Sequence, residues 1–160
     1  MITRAECERM FREVVEACDP AVRVRAALDR SRLRPEVYGI AVGKAAQAMV
    51  RGAGPVTRGV CVSNFKRDAL PAGWAFYPGA HPEPDDSSVR AADAVVDLVA
   101  STPAHAELLV LVSGGASAMI ERPTIPLAQF RAEIAAVMAS GADIREINRE
   151  RIRRSQIKGG

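Results

Sequence analysis

Residues 107–119 read ELLVLVSGGASAM, an apolar run that passes through a single serine into a glycine pair and then into helix-forming residues. A run of that kind is a strand buried on both faces, which is the habit of parallel sheets. Parallel neighbours need a crossover between them, commonly a helix, so this stretch commits the chain to strands alternating with helices. The arrangement recurs at 36–46, EVYGIAVGKAA, another apolar strand broken by glycine before a helical run. Between and around them the periodicity predicts helices over 3–18, 20–31, 44–53, 88–101 and 127–140, and one more from Ala142 towards Gln156. Further strands are expected over 57–64 and 73–80. The strand beginning at Glu107 is the most hydrophobic and is expected to lie centrally. The fold class is α/β: a Rossmann-like three-layer sandwich with a mainly parallel sheet.

The chain has 160 residues, enough for one core. No apolar run approaches the roughly 20 residues that span a bilayer, and the charged, amphipathic N-terminus does not read as a secretory signal. Three cysteines without CxxC or Cys/His spacing argue against a disulfide framework or zinc, with a reducing cytoplasm as the simplest setting. With only two histidines, a metal held by protein side chains alone is not expected. The net charge of +3 is concentrated in residues 145–158. That block reads as a solvated helix face or a small-anion site rather than as a nucleic-acid surface, since no aromatics accompany it.

Two strand ends share one design, Val42-Gly43-Lys44 and Ser113-Gly114-Gly115-Ala116-Ser117. In open α/β sheets ligands bind beyond the carboxyl ends of the strands, where backbone N–H groups point outward. Glycine permits close approach of a phosphate, and the hydroxyls of Ser113 and Ser117 suit the same role; a tight, serine-capped turn is the alternative. Lys44 could neutralise charge on a transferring phosphoryl group, or simply extend from the helix start. The rigid loop 78–88, PGAHPEPDDSS, offers His81 for a substrate hydroxyl and Asp85 either as ligand or as helix cap. Asn148, Arg151 and Ser155 would share a face if the last helix ran through Ser155, with Lys158 beyond them. The ammonium of Lys44 and the amides of 114–117 are expected to meet at one pocket.

Taken in order, GIAVGKAAQAM, GAHPEPDDSSVRAADAVVDL, LLVLVSGGASAMIERP and SGADIREIN…R…S.IKGG resemble the glycerate 2-kinases of the MOFRL-associated (DUF4147) family, across roughly residues 5–160. The resemblance implies ATP-dependent transfer of phosphate to the 2-hydroxyl of D-glycerate, with magnesium, in a cleft between an α/β domain and a smaller MOFRL domain. It implies roles for Lys44, for Ser113–Ser117, for the His81-Pro-x-Pro-Asp85 segment, and for Asn148, Arg151, Ser155, Lys158, Gly159 and Gly160. Two departures stand out. Ala116 replaces a third glycine, adding a methyl that would crowd a ligand. Ile152 and Arg153 stand where the family has lysine and histidine. The family's Ser-Asp-Val…Gly-Asp-Asp segment and its MOFRL domain are absent from these 160 residues, so the expectation is an N-terminal portion, weak or inactive alone. The alternative is a non-catalytic anion-binding or subunit-interaction module that pairs, through an unfinished sheet edge, with itself or a complementing chain.

Overall fold

The computed structural model describes residues 2–31, 33–66 and 69–159. Two helices open the chain, α1 (Arg4–Ala17) and α2 (Pro20–Leu28). Thr3 and Glu6 close a reciprocal capping box at the start of α1, and Asp19 caps α2 ahead of Pro20. There follow β1 (Val37–Val42), α3 (Ala46–Ala53), β2 (Arg58–Ser63), β3 (Trp74–Pro78), α4 (Asp86–Ser101) and β4 (Glu107–Val112). A single turn, α5 (Ala116–Met119), then leads into α6 (Leu127–Ala139) and α7 (Ile144–Arg153).

The four strands form one parallel sheet in the order β3-β2-β1-β4. On one face Ala41, Cys61 and Leu111 pack with Val24 of α2 and Val50 of α3; on the other Ile40, Val42, Val60 and Val62 pack with Ala91 and Leu98 of α4 and with Met119. The chain moves outward from β1 to β2 and β3, then returns to place β4 on the opposite side of β1. That reversal makes the carboxyl ends of β1 and β4 a switch point, where open α/β sheets generally place their ligands.

The sheet corrects three expectations. β4 is not central: among the described residues it is an edge strand, with Val110 53% and Val112 64% exposed. α4 packs on β2 and β3, so the same face of β4 stays open. Within α4 the apolar spacing of Val89, Ala92, Val95, Val96 and Val99 predicts the inward line, but the buried residues are Ser88, Ala91, Ala92 and Leu98, and Val99 is exposed. Small residues at 91 and 92 let the helix lie close to the sheet, and the Ser88 hydroxyl is drawn in to accept the Ala80 amide. α2 ends at Leu28 rather than at 31. The apolar stripe of α1 follows the expected helical spacing, but no residue of that helix is buried.

The single tryptophan fixes the outer half of the sheet. Gly59 and Trp74 are register partners, as are Gly39 and Gly59. The indole therefore lies across two strands at positions without side chains, while its Nε1 donates to the Gly54 carbonyl at 2.9 Å. A Cβ on Gly39 would stand 2.3 Å from the indole Cη2, and one on Gly59 2.6 Å from Cε3. Gly39→Ala is expected to cost about 1–3 kcal/mol by overpacking, read from denaturant unfolding followed by Trp74 fluorescence; wild-type stability in that variant would show that the ring moves aside freely.

Candidate functional site

The two glycine turns meet at the carboxyl ends of β1 and β4. Gly43 adopts φ +122°, and a Cβ there would stand 2.3 Å from the Ser113 Oγ. Its absence lets the turns interlock. The Lys44 amide donates to the Gly114 carbonyl (2.9 Å), and the Ser113 amide to the Val42 carbonyl (2.9 Å). The Ser113 hydroxyl donates to Val42 and accepts from the Ala45 amide at 3.1 Å. Ser113 thus stitches the turns together. The amides of Gly114, Gly115 and Ser117, by contrast, meet no acceptor among the described residues. Gly115, at φ +88°, turns the chain into α5 beneath the His81 ring, whose Cδ2 would lie 2.8 Å from a Cβ at that position. The methyl of Ala116 packs onto the core cluster around Val42 and Val62, so it faces the interior instead of crowding a ligand.

Asp85 is used as a cap. Its carboxylate accepts from the amides of Ser87 (2.8 Å) and Ser88 (3.3 Å) and from the Ser87 hydroxyl, closing a capping box on α4. The Ser87 hydroxyl bond is the main cause that holds this carboxyl below the usual carboxylate range.

Ser117, Asn148, Arg151 and Lys158 come together around a hollow of about 370 Å³, completed by Ile152 and Gly159. α7 stops at Arg153, so Ser155 lies beyond the helix and instead bridges Pro123. On the other side of Ser117 and Arg151 a more apolar hollow of about 310 Å³ is walled by Pro82, Pro84, Phe130 and Ile134. Lys44 is exposed and lines neither of these two hollows; its contact with the second turn is the bond from its amide to Gly114. Gly160 falls outside the described residues.

Glu121 was not singled out from the sequence. It is 1% exposed, pairs with Lys158, and accepts from the Arg122 amide at 3.1 Å. The one clue was an acidic residue directly after the apolar Ala118-Met119-Ile120. Burial lowers the Lys158 pKa, opposed by the Glu121 carboxylate.

Residues 6–160 match the family described as Domain of unknown function (DUF4147). The chain belongs to this family. It is 32% identical over 159 residues to the D-glycerate 2-kinase of Thermotoga maritima, covering 94% of this chain and 38% of that protein. It is 36% identical over 166 residues to a protein of Agrobacterium vitis provisionally named a hydroxypyruvate reductase, covering 98% of this chain and 37% of the relative. The crystal structure of the Thermotoga maritima glycerate kinase superposes with a TM-score of 0.85 at 31% identity, over 93% of this chain and 38% of that one. This DUF4147 chain therefore spans well under half the length of these relatives.

The cap generates a pH-dependent prediction. Asp85→Ala should cost about 0.5–2 kcal/mol, measured by thermal or urea unfolding. Because the folded carboxyl has the lower pKa, its contribution is complete above an unfolded value of about 3.9 and fades as pH falls through the folded one. The gap between wild type and variant should narrow below about pH 4.

Proposed function

We propose that this chain supplies one wall of a glycerate 2-kinase site, at which a phosphoryl group passes from ATP to the 2-hydroxyl of D-glycerate. The observation that carries the reading is the interlock of the Gly43–Lys44 and Ser113–Gly114 turns where the strand order reverses. It is supported by the family and by the kinases among its relatives. The unpartnered amides of Gly114, Gly115 and Ser117 would hold one anionic group of the substrates. Arg151, with Asn148 beside it, would clamp a second. Lys44 would reach from the rim to offset charge as the bond to the leaving nucleotide oxygen breaks and the bond to the glycerate oxygen forms. Among the described residues no group of three or more His, Cys, Asp or Glu could hold a metal ion; magnesium in such sites is commonly carried by substrate phosphates with one or two carboxylates, and no step is assigned to it. The turn after β1 carries one glycine, not the Gly-x-Gly-x-x-Gly of dinucleotide sites, which favours the kinase over a reductase. The second wall would belong to the length that the relatives have beyond the matched part.

A coupled assay with ATP, magnesium and D-glycerate is expected to show turnover far below the roughly 1–10³ per second of ordinary enzymes, while ATP still binds. Arg151→Gln should weaken ATP about ten- to a hundredfold, the loss of one hydrogen bond to a charged group, measured by calorimetry. Unchanged affinity would remove Arg151 from the site. NADH oxidation with hydroxypyruvate, if seen, would favour the reductase instead.

The exposed Leu108, Val110 and Val112 on the edge strand favour the second reading, a module that pairs through β4. Sedimentation would then show a dimer that Val110→Lys returns to monomer; a monomeric wild type would count against it.

A further inference from the structure

Among the described residues Glu121 is the buried acidic side chain, 1% exposed. Its amide donates to the Ser88 carbonyl (3.3 Å), and the Ser88 hydroxyl accepts from the amides of Ala80 (3.0 Å) and Asp85 (3.4 Å). Its carboxylate meets the Lys158 ammonium, which also donates to the Ser117 carbonyl at 2.8 Å. Glu121 therefore joins, through its amide, Ser88 and the His81 loop and, through its carboxylate, Lys158, which in turn holds the glycine turn at Ser117. Burying a carboxylate so fully is costly unless it is paired and hydrogen-bonded, and both conditions are met here. The charged groups facing Lys158 are Glu121 and Arg151, and the two are opposed in effect: the carboxylate favours the ammonium, the guanidinium disfavours it.

We propose that Glu121 is the positioning residue of the anion site, holding the Lys158 ammonium against the Ser117 carbonyl so that Lys158 and Arg151 present fixed N–H donors beside the glycine turn. This rests on the kinase reading for its function, though not for its geometry. The pair Glu121–Lys158 carries no net charge, so Arg151 supplies the net charge of the hollow and Lys158 adds a fixed N–H donor beside it. Without the carboxylate, Lys158 keeps its burial and its neighbour Arg151 but loses the group that retains its proton.

The chain has three lysines, Lys44, Lys66 and Lys158, so side-chain NMR gives three ammonium signals, with Lys158→Met identifying the third and the other two serving as controls. In Glu121→Gln the Lys158 midpoint is expected to fall by at least about one pH unit, a tenfold loss in proton affinity. Affinity for inorganic pyrophosphate should fall about tenfold near pH 8, with its alkaline limb moved to lower pH. Lys158→Arg in the Glu121→Gln background should abolish that limb, because a guanidinium stays protonated. If Glu121→Gln does not fold, Glu121→Asp, shorter by one methylene, should show a smaller shift in the same direction. A Lys158 midpoint unmoved by either substitution overturns the proposal, even if stability drops. A rise in pyrophosphate affinity also overturns it, since Glu121 would then merely compete with the anion. If the wild type binds no pyrophosphate, the kinase reading fails, and the NMR titration still decides the role of Glu121.

Discussion

The architecture of the rim depends on one missing atom. Gly43 stands where a Cβ would lie 2.3 Å from the Ser113 hydroxyl, and its left-handed backbone aims the Lys44 amide at Gly114. Because that approach is possible, the ends of β1 and β4 become a single hydrogen-bonded surface. Ser113 is consumed in making it, which leaves the next amides of the turn pointing outward. Polar groups without partners are rare inside proteins; here they gather at an open rim, where water or an anion can satisfy them.

A second constraint holds the periphery to that rim. The His81 loop, the start of α4, the end of α5 and the segment after α7 are distant in sequence, yet Ser88 and Glu121 join them through a few hydrogen bonds and one ion pair. Breaking a buried pair leaves an uncompensated charge, so the four segments are coupled electrostatically as well as by packing. Arg151 has no ion-pair partner among the described residues, in contrast with Arg122, Arg131 and Arg154, which meet Asp93, Glu83 and Glu133. That contrast makes Arg151 the available cation of the hollow.

Much of this was legible in residue order. Strands were legible as apolar runs and helices as 3.6-residue periodicity, because both patterns reflect what each element must bury. The glycine turns were legible because only glycine tolerates their geometry. The place of β4 was not: an apolar run says that a strand can be buried, and only the path of α4 decides which of its faces is. The inward line of α4 was missed for a related reason, since Ser88 goes inside to serve a loop amide and Val99 stays outside. Glu121 escaped notice because an acidic residue beside Arg122 looks like surface until Lys158, 37 positions on, folds over it. The Lys44 backbone sits at the end of β1 because Gly43 turns the chain there, but where a flexible four-carbon stem ends is not written in its neighbours.

The order of residues alone determined the alternation of elements, the two glycine turns and the family, since these rest on local periodicity, local conformational freedom and motif spacing. The folded chain decided which turns touch, which polar groups are spent on the fold and which remain free. Those outcomes depend on distances between segments far apart in the chain, and such distances are set only when every helix has found its face of the sheet.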